Sequence, residues 1–308
     1  MRYTFSPSGR FAGTPRERLP MSHALPAVTV VGNINLDLIA TAERLPTAGE
    51  TIGGAVLSEQ PGGKGANQAA AAARLGGSAR MVGAVGDDAQ GRKMLDALAV
   101  AGVDTPDVSV LPEPTGTALI VVDRNGENQI VVCPGANSHL SLDAVEFGAD
   151  ETVLCQLEVG LPVVLEAARK AQGFFVLNAA PAMDLPAELL ERCDLVIVNE
   201  SEYALIPTLA EAKLVAVTYG GDGSAMFEHG RKVAEAPSVA VAVANTVGAG
   251  DAFCAALVLA LRTGLEYTRA LAVANAVGAD AVGDPSSQPD LAQLGHYVER
   301  TARAVDAQ

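Results

Sequence analysis

The segment ANQAAAAARLGGSARMVGAVG (66–86) decides the fold class, because it joins an alanine-rich helix directly to a short apolar strand. Gly76 and Gly77 stop the helix over 66–76, and the strand follows over 79–86. The strand is a continuous apolar run, which is typical of a strand buried on both faces. A helix followed by such a strand indicates a parallel sheet with helical crossovers.

The same alternation extends in both directions along the chain. A buried strand is predicted over 27–34, and a helix with a glycine stop over 91–102. Further strands are predicted over 151–158, 174–180, 194–200 and 214–220, and further helices over 162–173 and 252–264. This order predicts an α/β fold with a doubly wound, mostly parallel sheet and flanking helices.

Two regions carry strand-like pieces without helices between them, 37–58 and 116–132. The second contains Asn125-Gly126 between two β-type runs, which is a strong hairpin signal. We expect both regions to form a small β-sheet that serves as a lid over ligands bound at the strand ends. No linker separates two autonomous domains, so residues 26–300 are expected to form one α/β domain carrying this lid.

The first residues are basic and rich in Pro, Gly and Ser, without the apolar stretch of a secretory signal. Residues 1–25 are therefore expected to be a disordered tail, or the result of a misassigned start with Met21 as the true one. No apolar run approaches the ~18–20 residues that a membrane span needs. The cytoplasm is the expected location.

The composition limits the partners. The chain has 21 Lys+Arg and 36 Asp+Glu, a net charge of −15, and no Trp. Nucleic acid and anionic membrane surfaces are excluded as partners, because both are polyanions. The four cysteines are isolated from one another in the sequence, so they form no CxxC zinc or redox pair and are expected to be buried free thiols.

The strongest local feature is NTVGAGDAFCAAL (245–257), where a Gly-Ala-Gly turn opens directly into an apolar helix. The N–H groups of Gly248, Ala249 and Gly250 have no partner within the helix, and with the helix dipole they favour an anion such as phosphate. Asp251 is either a helix-capping acid or a base for an attacking hydroxyl. Near the helix N-terminus it is expected to stay ionised and to be a weak base.

A second glycine-rich turn, PGGKGANQ (61–68), also opens a helix. It is not a Walker A loop, because Lys64 is followed by Gly65 and the glycine spacing differs. Its glycines permit close backbone approach, and Lys64 and Asn67 offer polar groups to a small hydroxylated ligand. A flexible surface turn is the alternative interpretation.

Polar side chains also follow several predicted strands. Asn35 and Asp37 share one side of their strand by the two-residue period, and such a pair suits hydrogen bonding to vicinal diols. Asn and Asp also end strands for turn reasons, so this pair alone indicates little. Glu158, Asn199 and Glu202 follow later strands, at the edge where α/β folds bind ligands.

Taken in this order, GGKGANQA (62–69) and NTVGAGDAF (245–253) resemble the two signatures of the ribokinase-like, or PfkB, family of carbohydrate kinases. The resemblance runs from about residue 27 to about residue 281, and GNINLD, TAGET, GENQIVVCPGAN, QLE and LNAAPA are most similar to its ribose-phosphorylating branch. It implies a large α/β domain with a β lid, often a homodimer joined through the lids. It also implies transfer of the γ-phosphoryl of ATP to the 5-hydroxyl of ribose, with Mg²⁺, in D-ribose catabolism.

By position, the resemblance assigns roles to the residues around these motifs. Asp251 would be the catalytic base, with Gly248, Ala249 and Gly250 as the anion hole for the γ-phosphate. The sugar would be held by Asn35, Asp37, Gly63, Lys64, Gly65, Asn67 and Glu158. ATP would be bound by Asn199, Thr218, Gly220, Gly223, Gly250 and Asn275, and Glu202 would influence Mg²⁺ through water.

Two departures from the family concern a monovalent-cation site. Asn245 stands where K⁺-activated members usually have Asp, so a cation would lose a charged ligand while the carbonyl of Val247 remains. The closing piece of that site, which would involve Ala281 and Asp284, reads GDPSSQPD (283–290) instead of a Gly-Ala pair and a later Ser. Asp284 and Asp290 in this loop would restore the negative charge lost at position 245, or the loop has a different structure. We expect weakened or altered activation by K⁺.

A third departure is the short segment 203–213, which lies near the expected nucleotide site and puts ATP affinity or nucleotide choice in question. Within the family, a kinase of nucleosides, pseudouridine or deoxyribose is the competing prediction. A catalytically weak or non-catalytic sugar- or nucleotide-binding protein is the alternative from another class, and the intact Gly-Ala-Gly-Asp turn argues against it. A Rossmann dehydrogenase is disfavoured, because no GxGxxG follows the first strand.

Overall fold

The computed structural model describes residues 25–242, 245 and 247–306. The tail predicted over 1–25 lies outside the described residues apart from its last position. Within this range, no helix combines the length and the hydrophobicity needed to cross a bilayer.

The described residues form strands and helices in the alternating order that the sequence predicts. The strands are β1 (Ala27–Val31), β2 (Asn35–Thr41), β3 (Val56–Gly62), β4 (Ser78–Gly86), β5 (Asp104–Leu111), β6 (Gly116–Val122), β7 (Asn128–Cys133), β8 (Thr152–Gln156), β9 (Phe174–Asn178), β10 (Leu195–Asn199), β11 (Val215–Thr218), β12 (Ser224–Glu228) and β13 (Arg231–Ala236). The α-helices are α1 (Lys64–Arg74), α2 (Ala89–Val100), α3 (Leu161–Lys170), α4 (Ala187–Arg192), α5 (Glu200–Leu205), α6 (Ala249–Arg262), α7 (Tyr267–Val282) and α8 (Leu294–Asp306).

The main sheet has nine strands in the order β13-β12-β11-β10-β9-β8-β1-β4-β5. Seven neighbouring strands of this sheet, β11-β10-β9-β8-β1-β4-β5, are parallel. The strands β12 and β13 add an antiparallel hairpin at one edge. This confirms the predicted doubly wound, mostly parallel α/β fold. From β1 the chain runs outward to β4 and β5, then crosses back to β8 on the other side. The carboxyl ends of β1 and β8 therefore flank the point where the winding reverses, which is where such folds bind ligands.

Helices cover both faces of the main sheet. On one face α1, α6 and α7 form a continuous apolar layer with the strands, and on the other α3 and α4 do so. The buried face of α1 consists mainly of alanines, and α1 packs directly against α6. Small side chains let two helices approach closely, because interaxial distance depends on the side chains at the contact.

A separate sheet of four strands has the order β3-β2-β6-β7. β2 runs antiparallel to β3 and parallel to β6, and β6 and β7 form the hairpin predicted at Asn125-Gly126. Asp123 stabilises the hairpin loop by accepting hydrogen bonds from the N–H groups of Asn125 and Glu127. The two regions that lacked helical signals thus supply the strands of one small sheet.

Several elements carried too weak a signal to be predicted. β5 is an edge strand containing Pro106, β12 and β13 form the opposite edge, and α7 and α8 lie beyond the last predicted helix. Edge strands tolerate Pro and show partial burial, so they lack the continuous apolar run of central strands. The short segment 203–213 holds the end of α5 and one 3₁₀ turn.

Candidate active site

A cleft of about 590 Å³ lies between the carboxyl ends of the main-sheet strands and one face of the small sheet. The small sheet contributes an apolar wall that includes Ile39, Ala118, Ile120, Ile130 and Val132. The structure brings most of the predicted site residues into this cleft: Asn35, Asp37, Gly63, Lys64, Asn67, Glu158, Asn199, Glu202, Thr218, Asn245, Val247, Gly248, Gly250 and Asp251. The cleft therefore has a polar floor, formed by these residues, and the apolar wall of the small sheet.

Asp251 lies in the first turn of α6, yet its carboxylate does not cap that helix. Instead its two oxygens accept hydrogen bonds from α1, Oδ2 from Asn67 Nδ2 at 3.1 Å and Oδ1 from Gln68 Nε2 at 2.9 Å. The residue is only 8% exposed. Of the two interpretations that the sequence allowed, the geometry matches a carboxylate held for chemistry at the cleft floor.

The expectation that Asp251 is a weak base is wrong. Burial raises the pKa of its carboxyl above the ordinary value, and Glu158 raises it further. Lys64 and the amides of Asn67 and Gln68 act in the opposite direction, but burial is the largest effect. A carboxylate with a raised pKa accepts a proton more readily.

Lys64 lines the cleft together with Asp251 and Glu158. Its Nζ lies 4.0 Å from Glu158 Oε1. Burial lowers the pKa of Lys64, but Asp251, Glu158 and Glu202 raise it, and the net result lies above the ordinary value. Lys64 therefore remains protonated and supplies positive charge to the cleft.

Asp37 is the second buried acid, at the start of β2. Burial, together with the negative charges of Glu158 and Asp251, raises the pKa of Asp37 to about 7. Its neighbour Asn35 is fixed by Asn137, whose Nδ2 donates to Asn35 Oδ1 at 2.9 Å. The Asn35 amide and the Asp37 carboxyl thus line the cleft from one face of β2, as the two-residue period predicts.

Asn199 and Glu202 form a capping box at the start of α5. The Asn199 side chain accepts from the Glu202 N–H, and Glu202 Oε2 accepts from the Asn199 N–H, each at 2.8 Å. Both side chains still line the cleft. The same pair therefore fixes the N-terminus of a short helix and faces the space expected to hold a nucleotide.

The other residues predicted for ATP lie around the end of β11. Thr218 lines the cleft, whereas Gly220 and Gly223 form the tight turn into β12. Asn275 in α7 donates to the carbonyls of Ala236 and Pro237 at 3.1 and 3.0 Å, so its amide group ties α7 to the end of β13.

Two glycines hold close backbone contacts beside the cleft. Gly248 has a φ of 83°, and a Cβ there would lie 2.1 Å from the carbonyl oxygen of Ser287. Gly65 lies inside α1, where a Cβ would come within 2.7 Å of the backbone of Gly32 and Asn33. Gly65 thus allows α1 to lie close to the backbone that follows β1. The anion hole predicted at the N–H groups of Gly248, Ala249 and Gly250 stays a prediction.

The residues expected around the monovalent-cation site lie in a hydrogen-bonded loop. Asn245 Nδ2 donates to the Pro285 carbonyl, and its Oδ1 accepts from the Val247 N–H, both at 3.0 Å. The Asp284 carboxylate accepts from the N–H groups of Ser286 and Asp290 at 2.8 and 3.2 Å. Ala281 ends α7 as a buried residue whose carbonyl accepts from the Asp284 N–H. Across the described ranges, no three His, Cys, Asp or Glu side chains are grouped to hold a metal ion.

Sequence reasoning missed a set of buried amides at the cleft floor and behind it. Gln68, Asn178 and Gln288 all contact Asn67, Asp251 or one another, and Asn137 anchors Asn35. Gln68 adjoins a predicted residue and Asn178 ends a predicted strand, so position alone was the available signal. Nothing local indicates that an amide side chain turns inward rather than toward solvent.

Comparisons with known proteins identify the family of the chain. The chain matches the model of the pfkB family of carbohydrate kinases over residues 26–293. It is 37% identical over 265 residues to the ribokinase of Bacillus subtilis, a match that spans 80% of this chain and 90% of that protein.

Solved structures show the same architecture. The ribokinase of Thermotoga maritima superposes with a TM-score of 0.80 at 27% identity. The ribokinase of Arabidopsis thaliana, solved with ribose and ATP, also gives a TM-score of 0.80, at 31% identity. Each superposition covers 90% of this chain and 99% of the other.

The raised pKa of Asp37 predicts how stability depends on pH. The folded protein holds this proton up to about pH 7, whereas an unfolded Asp loses it near its ordinary pKa of ~4. The stabilisation from this proton is thus complete below ~pH 4 and is lost as the pH rises through 7. Asp37→Asn should increase the free energy of unfolding by about 2–4 kcal/mol at pH 8, and the gain should vanish toward pH 4.

Urea unfolding of both proteins between pH 4 and 8 measures this difference. Asp87→Asn, at a carboxyl that is 78% exposed, is the control and should show no such trend. Equal stability of the wild type and Asp37→Asn at pH 8 would contradict the assignment of a buried, high-pKa carboxyl.

Proposed function

The chain belongs to the pfkB family of carbohydrate kinases. We propose that it phosphorylates ribose, by transferring the γ-phosphoryl of ATP to the 5-hydroxyl of the sugar. The observation that carries the proposal is the place of Asp251. Its buried carboxylate lies at the N-terminus of α6 and at the polar floor of the cleft at the same time. A hydroxyl on that floor and a phosphate at the helix end would meet at this side chain.

The cleft floor suits a small polyol. Asn35, Asp37, Asn67 and Glu158 present amide and carboxylate groups, and Lys64 adds a donor. The chain has no Trp, so recognition rests on hydrogen bonds to hydroxyls, while the apolar wall of the small sheet packs on the carbon skeleton. Fixing several hydroxyls orients the one that reacts, which is the entropic part of catalysis.

The phosphate end depends on local positive potential, because the whole chain carries −15. The free N–H groups and dipole of α6 and the protonated Lys64 supply it. Mg²⁺ bound with ATP would neutralise phosphate charge, and the Glu202 carboxylate, which lines the cleft, would help to hold it through water. Asn199 and Thr218 line the same side of the cleft.

Asp251 then acts as the base that takes the proton of the attacking hydroxyl. Its raised pKa matches this task better than that of an exposed Asp would. The transition state of phosphoryl transfer is loose, so positioning and charge stabilisation carry most of the rate.

The remaining expectations belong to the same proposal. Residues 26–300 form the kinase domain, and the small sheet is its lid. ATP-dependent chemistry and free cysteines at positions 133, 155, 193 and 254 fit the reducing cytoplasm and a role in D-ribose catabolism. Three apolar side chains are exposed on the face of the small sheet turned away from the cleft, and we assign them to a homodimer formed through the lids: Leu57, Leu119 and Val131.

The catalytic role predicts the effect of Asp251→Asn. This change keeps the shape but removes the base, so kcat for ribose should fall by about 10²–10⁴-fold while ribose binding remains. A coupled ATP assay with ribose, deoxyribose, fructose and nucleosides measures rate and substrate choice together. Ribose should give the highest kcat/KM. Near-normal turnover by the variant would refute the role of Asp251, and a preferred nucleoside or deoxyribose would overturn the choice of substrate.

The altered cation loop predicts weak activation by K⁺. The residues present do not fit a cation, because Asn245 donates a hydrogen bond to Pro285 and the Asp284 carboxylate is occupied by backbone N–H groups. Replacing K⁺ with choline at fixed ionic strength should change the wild-type rate little. Asn245→Asp should introduce K⁺ dependence and a K⁺-specific rise in melting temperature. Strong, saturable activation of the wild type would contradict the prediction.

The lid interface predicts the effect of Val131→Glu. Val131 is 60% exposed on β7 and faces away from the cleft, opposite to its neighbours Ile130 and Val132. A charge there should convert a dimer to a monomer in analytical ultracentrifugation. Val100→Glu, 85% exposed on α2, is the matched control and should stay dimeric. If the wild type sediments as a monomer, the proposed lid interface is wrong.

A further inference from the structure

A chain of buried amides leads from the main sheet to the carboxylate of Asp251. Gln68 and Gln156 have no exposed surface, and Asn178 is 8% exposed. Gln68 Nε2 donates to Asp251 Oδ1 at 2.9 Å and to Asn178 Oδ1 at 3.0 Å. Gln68 Oε1 accepts from Gln156 Nε2, so both ends of the Gln68 amide are held.

The orientation of this chain follows from the charge of Asp251. A carboxylate only accepts hydrogen bonds, so Gln68 must turn its NH₂ group toward it. Its oxygen then faces β8, and Gln156 must present an NH₂ group in turn. The consequence is that Gln156 Oε1 points away, and this buried atom has no hydrogen-bond partner among the described residues. Such an atom costs free energy, which indicates that the arrangement serves something other than stability.

Gln68 differs from its neighbour Asn67 in its relation to the cleft. Asn67 lines the cleft and also donates to Asp251, whereas Gln68 lies behind it. A ligand can compete for Asn67 but has no access to Gln68. The hydrogen bond from Gln68 therefore persists when the cleft is filled and keeps one carboxylate oxygen in a fixed place.

We propose that Gln68 is a positioning residue for the base Asp251, and that Gln156 holds Gln68 in the orientation this requires. The inference rests on the proposed kinase function. Gln68 fixes the rotation of the Asp251 carboxylate, so that Oδ2, next to Asn67, is the oxygen presented to the attacking hydroxyl. Neither glutamine contacts the reacting atoms.

The variant Gln68→Met removes the donor with little change in volume. It should lower kcat by about 10–100-fold, because a misplaced base reacts slowly, and change both KM values little. Losing a donor to the charged form also raises the pKa of Asp251, so the acid limb of the kcat profile should move to higher pH. The charged groups that face Asp251, namely Lys64, Asp37 and Glu158, and the nearby thiol of Cys254, are unchanged in this variant.

Gln288→Met is the matched control. Gln288 is also a buried amide, 5% exposed, but it contacts Asn67 Oδ1 at 3.2 Å and not Asp251. Its removal should leave the position of the acid limb unchanged. Gln68→Glu is the conservative variant. Its carboxyl, when protonated, can donate to Asp251, so the activity of this variant should recover as the pH falls, which a purely structural role would not produce.

The pKa of Asp251 is also measured without turnover, from the ¹³Cγ shift assigned by its loss in Asp251→Asn. Gln68→Met should raise this pKa and Gln288→Met should not. Equal shifts, or equal losses of kcat, in the two variants would overturn the inference. If Gln68→Met fails to fold, Gln156→Met is measured in its place and should raise the pKa less. Absence of kinase activity in the wild type would refute the function instead, and the ¹³Cγ result would still decide the positioning role.

Discussion

The close packing of α1 against α6 is the constraint from which the active site follows. The first turns of these two helices bring Asn67 and Gln68 to within about 3 Å of the Asp251 carboxylate. That distance requires small side chains along the contact, and α1 supplies a run of buried alanines. Gly65 fixes the start of α1 in the same way, because a Cβ there would collide with the backbone that follows β1. The alanine-rich composition of α1, which first indicates only a helix, is thus also a condition for placing the Asp251 carboxylate against Asn67 and Gln68.

Two buried acids and one partly buried acid lie around a lysine in the cleft of a protein of net charge −15. Asp37, Glu158 and Asp251 share the cleft floor with Lys64, and their mutual repulsion and burial raise the pKa of Asp37 and Asp251. This arrangement is unfavourable for folding stability, because burial and mutual repulsion oppose the ionised carboxylates unless hydroxyl donors bind to them. A polyol supplies these donors. The site therefore trades folding stability for affinity toward a ligand rich in hydroxyl groups.

The sequence determines the fold and the cleft floor to different extents. Continuous apolar runs and glycine stops are local signals, so the central strands, the helices α1, α2, α3 and α6, and the hairpin at Asn125-Gly126 could be predicted. The Gly-Ala-Gly-Asp turn likewise identifies Asp251. Its base strength could not be predicted, because burial depends on α1 and β2, which are distant in sequence. The inward amides of Gln68 and Gln156 were missed for the same reason: side-chain direction within a helix or strand end is set by packing against other elements.

The loop over 283–290, one of the places where the chain departs from the family, connects the small sheet to the start of α6. Ser287 connects two parts of the site: its N–H and hydroxyl donate to Gln60 and Pro61 of β3, and its carbonyl lies against Gly248 at the start of α6. Asn245 adds a direct hydrogen bond to Pro285 in the same loop. These hydrogen bonds join the small sheet to the turn that begins α6. A displacement of β3 must therefore either break them or move the loop against that turn.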